Sequence, residues 1–137
     1  MRTKSVVLLL LVNALVVTSR AEGAADPRAV LLGTWRGSSI CTGARTACRD
    51  ETVVYHITAG ANAEMVTVAA NKIVDGRELE MGTLEFNVDF KAHRMVSEFD
   101  NGNVASRWVF QWSSTELKGT AVLLPDGTKI RDIVLRR

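Results

Sequence analysis

The sequence predicts an all-β domain: an eight-stranded antiparallel up-and-down β-barrel, with a two-sheet β-sandwich as the runner-up. Three observations carry this. Apolar residues recur at every second position, the side-chain period of a half-buried strand. Gly82, Leu84, Phe86, Val88 and Phe90 share one parity, and Thr83, Glu85, Asn87 and Asp89 the other; a helical period would scatter those acids into the apolar stripe. The alternating runs are separated by short turn signals, which permit antiparallel neighbours and leave no room for crossover helices. Finally, eight short strands joined in sequence form a meander with two exposed edges, and closing it removes both.

The elements follow in order. Residues 1–21 open with Arg2 and Lys4, continue with an apolar run from Val6 to Val17 broken only by Asn13, and end on Ser19-Arg20-Ala21. That is the build of a secretory signal peptide cut after Ala21, and the run is too short for a transmembrane anchor of about 20 apolar residues. The expected location is therefore periplasmic or secreted, with no stable membrane insertion once the peptide is removed. Residues 22–28, EGAADPR, read as a disordered leader, and 29–137 as a single barrel domain.

Strands are predicted at 33–40, 51–59, 64–74, 78–90, 93–99, 104–112, 115–124 and 128–136. Asp75-Gly76 and Asp126-Gly127 are the strongest hairpin signals, since both tolerate the positive φ of two-residue turns. Asp100-Asn101-Gly102-Asn103 makes a longer turn, Ser113-Ser114-Thr115 a tight one, and Pro125 closes a strand where its missing N–H costs nothing. Val104, Ser106, Trp108, Phe110 and Trp112 are expected to face inward and Arg107 and Gln111 outward. Leu117, Gly119, Ala121 and Leu123 are the inner row of the seventh strand, and Ile130, Val134 and Arg136 that of the eighth.

Cys41 and Cys48, the only cysteines, enclose six residues. The spacing is neither a redox CxxC nor a zinc set, which needs further Cys or His nearby. A structural disulfide at the first strand connection is expected, and export permits it. The bridged loop 41–48, with Gly43 and Arg45 inside it and Arg49 beside it, either pins the hairpin register or offers a rigid contact surface.

Leu31-Leu32-Gly33-Thr34-Trp35 resembles the Gly-x-Trp that opens the lipocalin and fatty-acid-binding barrels. The resemblance implies a lipocalin-like barrel in which Trp35, positioned after Gly33, closes one end and an arginine of the last strand packs over it. Arg131 and Arg136 stand in that strand, and Arg136 has the parity taken as inward. The chain is shorter than the large lipocalins and lacks their long first loop and final helix. As a whole it is similar to small exported bacterial β-barrel proteins of unassigned function that share the Gly-Thr-Trp, cysteine-pair and Val-Val-Tyr order.

Charge narrows the function. Of 17 Lys and Arg, three lie in residues 1–21, where none of the 15 Asp and Glu lie, so the mature chain carries 14 bases against 15 acids. No basic run interleaved with aromatics survives to track nucleic-acid phosphates. His56 and His93 are isolated, so no metal site is expected, and no cofactor. Ser38 or Ser39, His56 and Asp50 supply the residue types of a triad without a nucleophile elbow, and Glu78, Glu80 and Glu85 supply carboxylates without an enclosed partner. The chain is not expected to be an enzyme.

The aromatics bear on function more directly. Trp108, Phe110, Trp112 and Phe86 either fill the interior as core or line a cavity for a small apolar or amphiphilic ligand, with Arg107 or Arg36 at the rim to hold a carboxylate. The alternative is an envelope protein-interaction module or enzyme inhibitor acting through loop 41–48. A cavity of about 300 Å³ or more beside Trp108 and Phe110 separates the two.

Overall fold

The computed structural model describes residues 23–43 and 47–137. The signal-peptide reading of 1–21, and Arg45, lie outside the described residues. Eight strands follow one another: β1 Gly33–Cys41, β2 Glu51–Ala59, β3 Met65–Val74, β4 Arg77–Asp89, β5 Arg94–Asp100, β6 Ala105–Trp112, β7 Glu116–Leu123 and β8 Lys129–Arg136. Each pairs antiparallel with the next, and β8 returns to β1, with Gly37 opposite Leu135 and Cys41 opposite Arg131, so the sheet is a closed barrel and not a sandwich. No predicted strand end is displaced by more than one residue. Asp75 and Gly76 both take positive φ, 51° and 77°, as a two-residue hairpin turn requires. At Gly37, β1 crosses so close to β8 that a Cβ would run into the Val134 carbonyl; the missing side chain permits closure.

The two ends of the barrel differ. At one, Trp35 and Leu31 are wholly buried, and the Trp35 Nε1–H donates to the Leu31 carbonyl at 2.8 Å. The segment before β1 lies across this end as a 3-10 turn, Pro27–Val30, whose cap Asp26 accepts from the Arg28 N–H. Ordered structure thus begins within the segment read as a disordered leader. Arg28 reaches the Asn62 carbonyl at 2.7 Å, tying the turn to the β2–β3 connection. Above Trp35 the core is closely filled by Val53, Ile57, Val66, Val88, Met95, Leu117, Ile133 and Leu135. Each such side chain contributes about 1.5–3 kcal/mol when fully buried, so stability concentrates at this end.

Two irregularities set which side chains face inward. Opposite β3, Ala70 pairs with Gly82 but Asn71 with Glu80, leaving Met81 as an extra residue. Opposite β7, Ala121 pairs with Arg131 but Val122 with Lys129, leaving Ile130 extra. Such a bulge moves the following residues to the other face. The inner row of β8 is therefore Arg131, Ile133 and Leu135, and the expected row of Val134 and Arg136 faces out. The guanidinium over Trp35 accordingly belongs to Arg137, 4.5 Å from the ring, while the exposed Arg136 pairs with Glu116 at 2.8 Å.

Candidate ligand cavity

Away from the Trp35 end the inner row loosens. A cavity of about 380 Å³ opens toward the end that carries the β1–β2, β3–β4, β5–β6 and β7–β8 connections. Its volume sits low in the range of about 300–1,000 Å³ usual for small-molecule sites. The floor is aromatic. Phe110 meets Phe86 edge-on with ring centroids 5.7 Å apart and Tyr55 likewise at 6.1 Å, the arrangement that quadrupoles favour. Phe110 lies opposite Gly119, where a Cβ would strike its ring. The glycine lets the ring lie flat against β7 and leaves the space above it empty. Trp108 forms a wall, its Nε1–H donating to the Ser106 hydroxyl at 3.1 Å, with Val68 and Leu84 opposite. Met81 and Phe99 form an apolar rim, and Phe99 is 40% exposed.

One corner is polar. Glu51 heads the inner row Glu51, Val53, Tyr55, Ile57, and Arg131 heads that of β8; both line the cavity. Arg131 Nη1 donates to the buried Ser39 hydroxyl at 2.9 Å and lies 3.5 Å from a Glu51 oxygen, with Lys72 3.7 Å from the other. The two side chains are only 17% and 16% exposed, so their attraction is less screened than on the surface. Among the described residues, Nε and Nη2 of Arg131 have no hydrogen-bond partner. Burial pushes the Tyr55 phenol well above its ordinary range against the pull of Arg131, and Glu51 adds to the rise. The phenol therefore keeps its proton. The corner carries more donors than acceptors.

The residues expected to bind ligand divide. Trp108, Phe110 and Phe86 do line the cavity. Trp112 stands on the same inner face but at the filled end, 7% exposed, with Phe90 edge-on at 6.1 Å and His93 stacked on it at 5.4 Å. Arg107 faces outward, 2.7 Å from Glu98, and Arg36 is likewise exposed on the outer face. Among the described residues, the charged groups lining the cavity are thus Arg131 and Glu51. Their parity with Ile133 and Val53 was the available signal.

The disulfide between Cys41 and Cys48 is formed. Its loop leans on the start of β8, where Thr42 donates from N to the Ile130 carbonyl at 3.1 Å and from Oγ1 to that of Lys129 at 2.7 Å. Ala47 and Cys48 enclose a smaller recess of about 220 Å³ with Ile130 and Arg131, so the bridged loop borders the polar corner. In the chain-entropy account a bridge around so short a loop contributes about 2–3 kcal/mol.

Among the described residues, no three His, Cys, Asp or Glu side chains are grouped to hold a metal, and no helix is long and apolar enough to cross a membrane. Compared with protein-family models and with curated proteins, the chain matches none, so the eight-stranded closed barrel stands as a fold and the lipocalin likeness as a likeness of that fold.

Proposed function

We propose that the protein is an exported binding protein for a small amphiphilic ligand, and not an enzyme. The ligand's apolar part lies on Phe86, Trp108 and Phe110 and its polar head on Arg131 and Ser39. The observation that carries this reading is an apolar cavity of about 380 Å³ with one donor-rich corner, beside the aromatics whose packing was in question. A filled interior would have turned the balance toward loop 41–48 as a protein-recognition element; the open one favours a ligand. Export, to the periplasm or beyond, is supported by the composition of residues 1–21 and agrees with the disulfide.

Two measurements test the reading. Native mass spectrometry of the protein purified from its own cell envelope is expected to show a retained small molecule released on denaturation. Ala70→Phe, which places a ring in the cavity, is expected to abolish both that adduct and the binding of a fluorescent single-chain amphiphile while leaving the circular dichroism unchanged. Probe binding that survives Ala70→Phe at full strength would put the ligand elsewhere and sink the proposal.

A further inference from the structure

The barrel is unevenly sewn. β5 pairs with β6 along its whole length, and β4 pairs with β3 from Arg77 to Asn87 apart from the extra Met81. Between β4 and β5, however, only Asn87 with Val96, Val88 with Met95 and Asp89 with Arg94 are paired, all beside the turn. Beyond them, the same register would set β5 97–100 against β4 83–86, and neither stretch is paired with the other.

The register explains the parting. Continued, it would set Phe86 against Ser97, Glu85 against Glu98 and Leu84 against Phe99. Two carboxylates directly opposite destabilise a strand pair. Each leans instead on the strand behind it: Glu85 Oε1 accepts from the Thr67 hydroxyl at 2.6 Å, and Glu98 Oε1 from Arg107 Nε at 2.8 Å. The second oxygen of each has no partner among the described residues. On the inner side, Leu84, Phe86 and Phe99 line the cavity.

We propose that this gap is a docking site for an extended segment of another protein, added as a strand between β4 and β5. Strand addition to a free edge supplies main-chain hydrogen bonds, and alternate side chains supply specificity. Here the outward positions of the incoming strand meet Glu85 and Glu98 and call for Lys or Arg. The inward positions meet Leu84 and Phe99 and call for apolar residues. A second copy of this chain is a poor occupant, because its own edge brings the same carboxylates into the gap. The inference is independent of whether the cavity takes a small ligand.

The test titrates the folded protein with a short blocked peptide alternating Lys and Val, read by amide hydrogen exchange. Exchange is expected to slow at least about tenfold within 83–86 and 97–100, and to be unchanged by a peptide alternating Glu and Val. In the double variant Glu85→Lys, Glu98→Lys the preference should reverse. The milder Glu85→Gln, Glu98→Gln pair keeps the test available should the charge reversal fold poorly, and is expected to weaken Lys–Val binding about tenfold. No slowing, slowing confined to other segments, or slowing indifferent to peptide charge would overturn the proposal.

Discussion

A guanidinium set among Trp108, Phe110 and Ile130 gives up solvation that a surface arginine keeps, and Arg131 recovers part of it from Ser39 and Glu51. At 3.5 Å the contact with Glu51 is an ion pair without a hydrogen bond, so a ligand carboxylate can use Nε and Nη2, which have no partner among the described residues, without displacing a strong bond. Arg131→Met keeps the length of the side chain and removes the donors. Affinity for a single-chain carboxylate should fall by about tenfold or more, the value of one charge-assisted hydrogen bond. Affinity for the alcohol of the same chain length should hold. Titration of both ligands against both proteins checks this, and an equal loss for the two would remove Arg131 from head recognition.

Across four neighbouring strands a chain of polar side chains runs over the outer face: Thr34 of β1 to His56 Nδ1 at 3.2 Å, His56 Nε2 to Glu78 of β4 at 2.7 Å, and Asn71 Nδ2 of β3 to the same Glu78 oxygen at 2.9 Å. His56, chiefly, and then Asn71 hold the Glu78 carboxyl below its ordinary value of 4.5. A carboxyl so lowered binds its proton more readily in the unfolded chain. Its contribution to stability is full above that ordinary value and is lost as pH falls through the lowered one. Urea denaturation of Glu78→Gln should therefore show a shallower loss of stability below about pH 4.5 than the parent; parallel acid limbs would refute the linkage. The strands that this chain of bonds joins were legible because a period of two is local, visible within a run such as 81–90. The bulges were not. Ile130 stands between Lys129 and Arg131, just as an inward residue of an unbroken alternation would, so nothing in the sequence marks it as extra. One uncounted residue exchanged the two faces of β8 and moved the ring contact from Arg136 to Arg137.

On the scale of the whole barrel, one end carries the stability and the other the vacancy. Trp108, Phe110 and Trp112 show why the vacancy could not be read from the chain. They occupy one inner face of one strand, yet two bound empty space and the third fills the closed end. Whether an inward aromatic meets a neighbour or a void depends on what seven other strands bring to the same level, and alternation along one strand does not encode that. The same division makes the two ends separable by experiment. Arg137 stacks on Trp35 and donates from Nη2 to the Val30 and Leu32 carbonyls at 2.6 and 3.0 Å, so it clamps the 3-10 turn over the plug without approaching the cavity. Removing it in Arg137→Ala forfeits a cation–π contact and two charge-assisted bonds, expected to lower the stability to urea by about 1–3 kcal/mol. Amphiphile affinity measured at low temperature, where the variant is fully folded, should not change, because Arg137 reaches Trp35 and the Val30 and Leu32 carbonyls and is not among the residues lining the cavity. A matching loss of affinity would mean that the filled end sets the shape of the open one, and the barrel would then have to be treated as a single cooperative frame for binding.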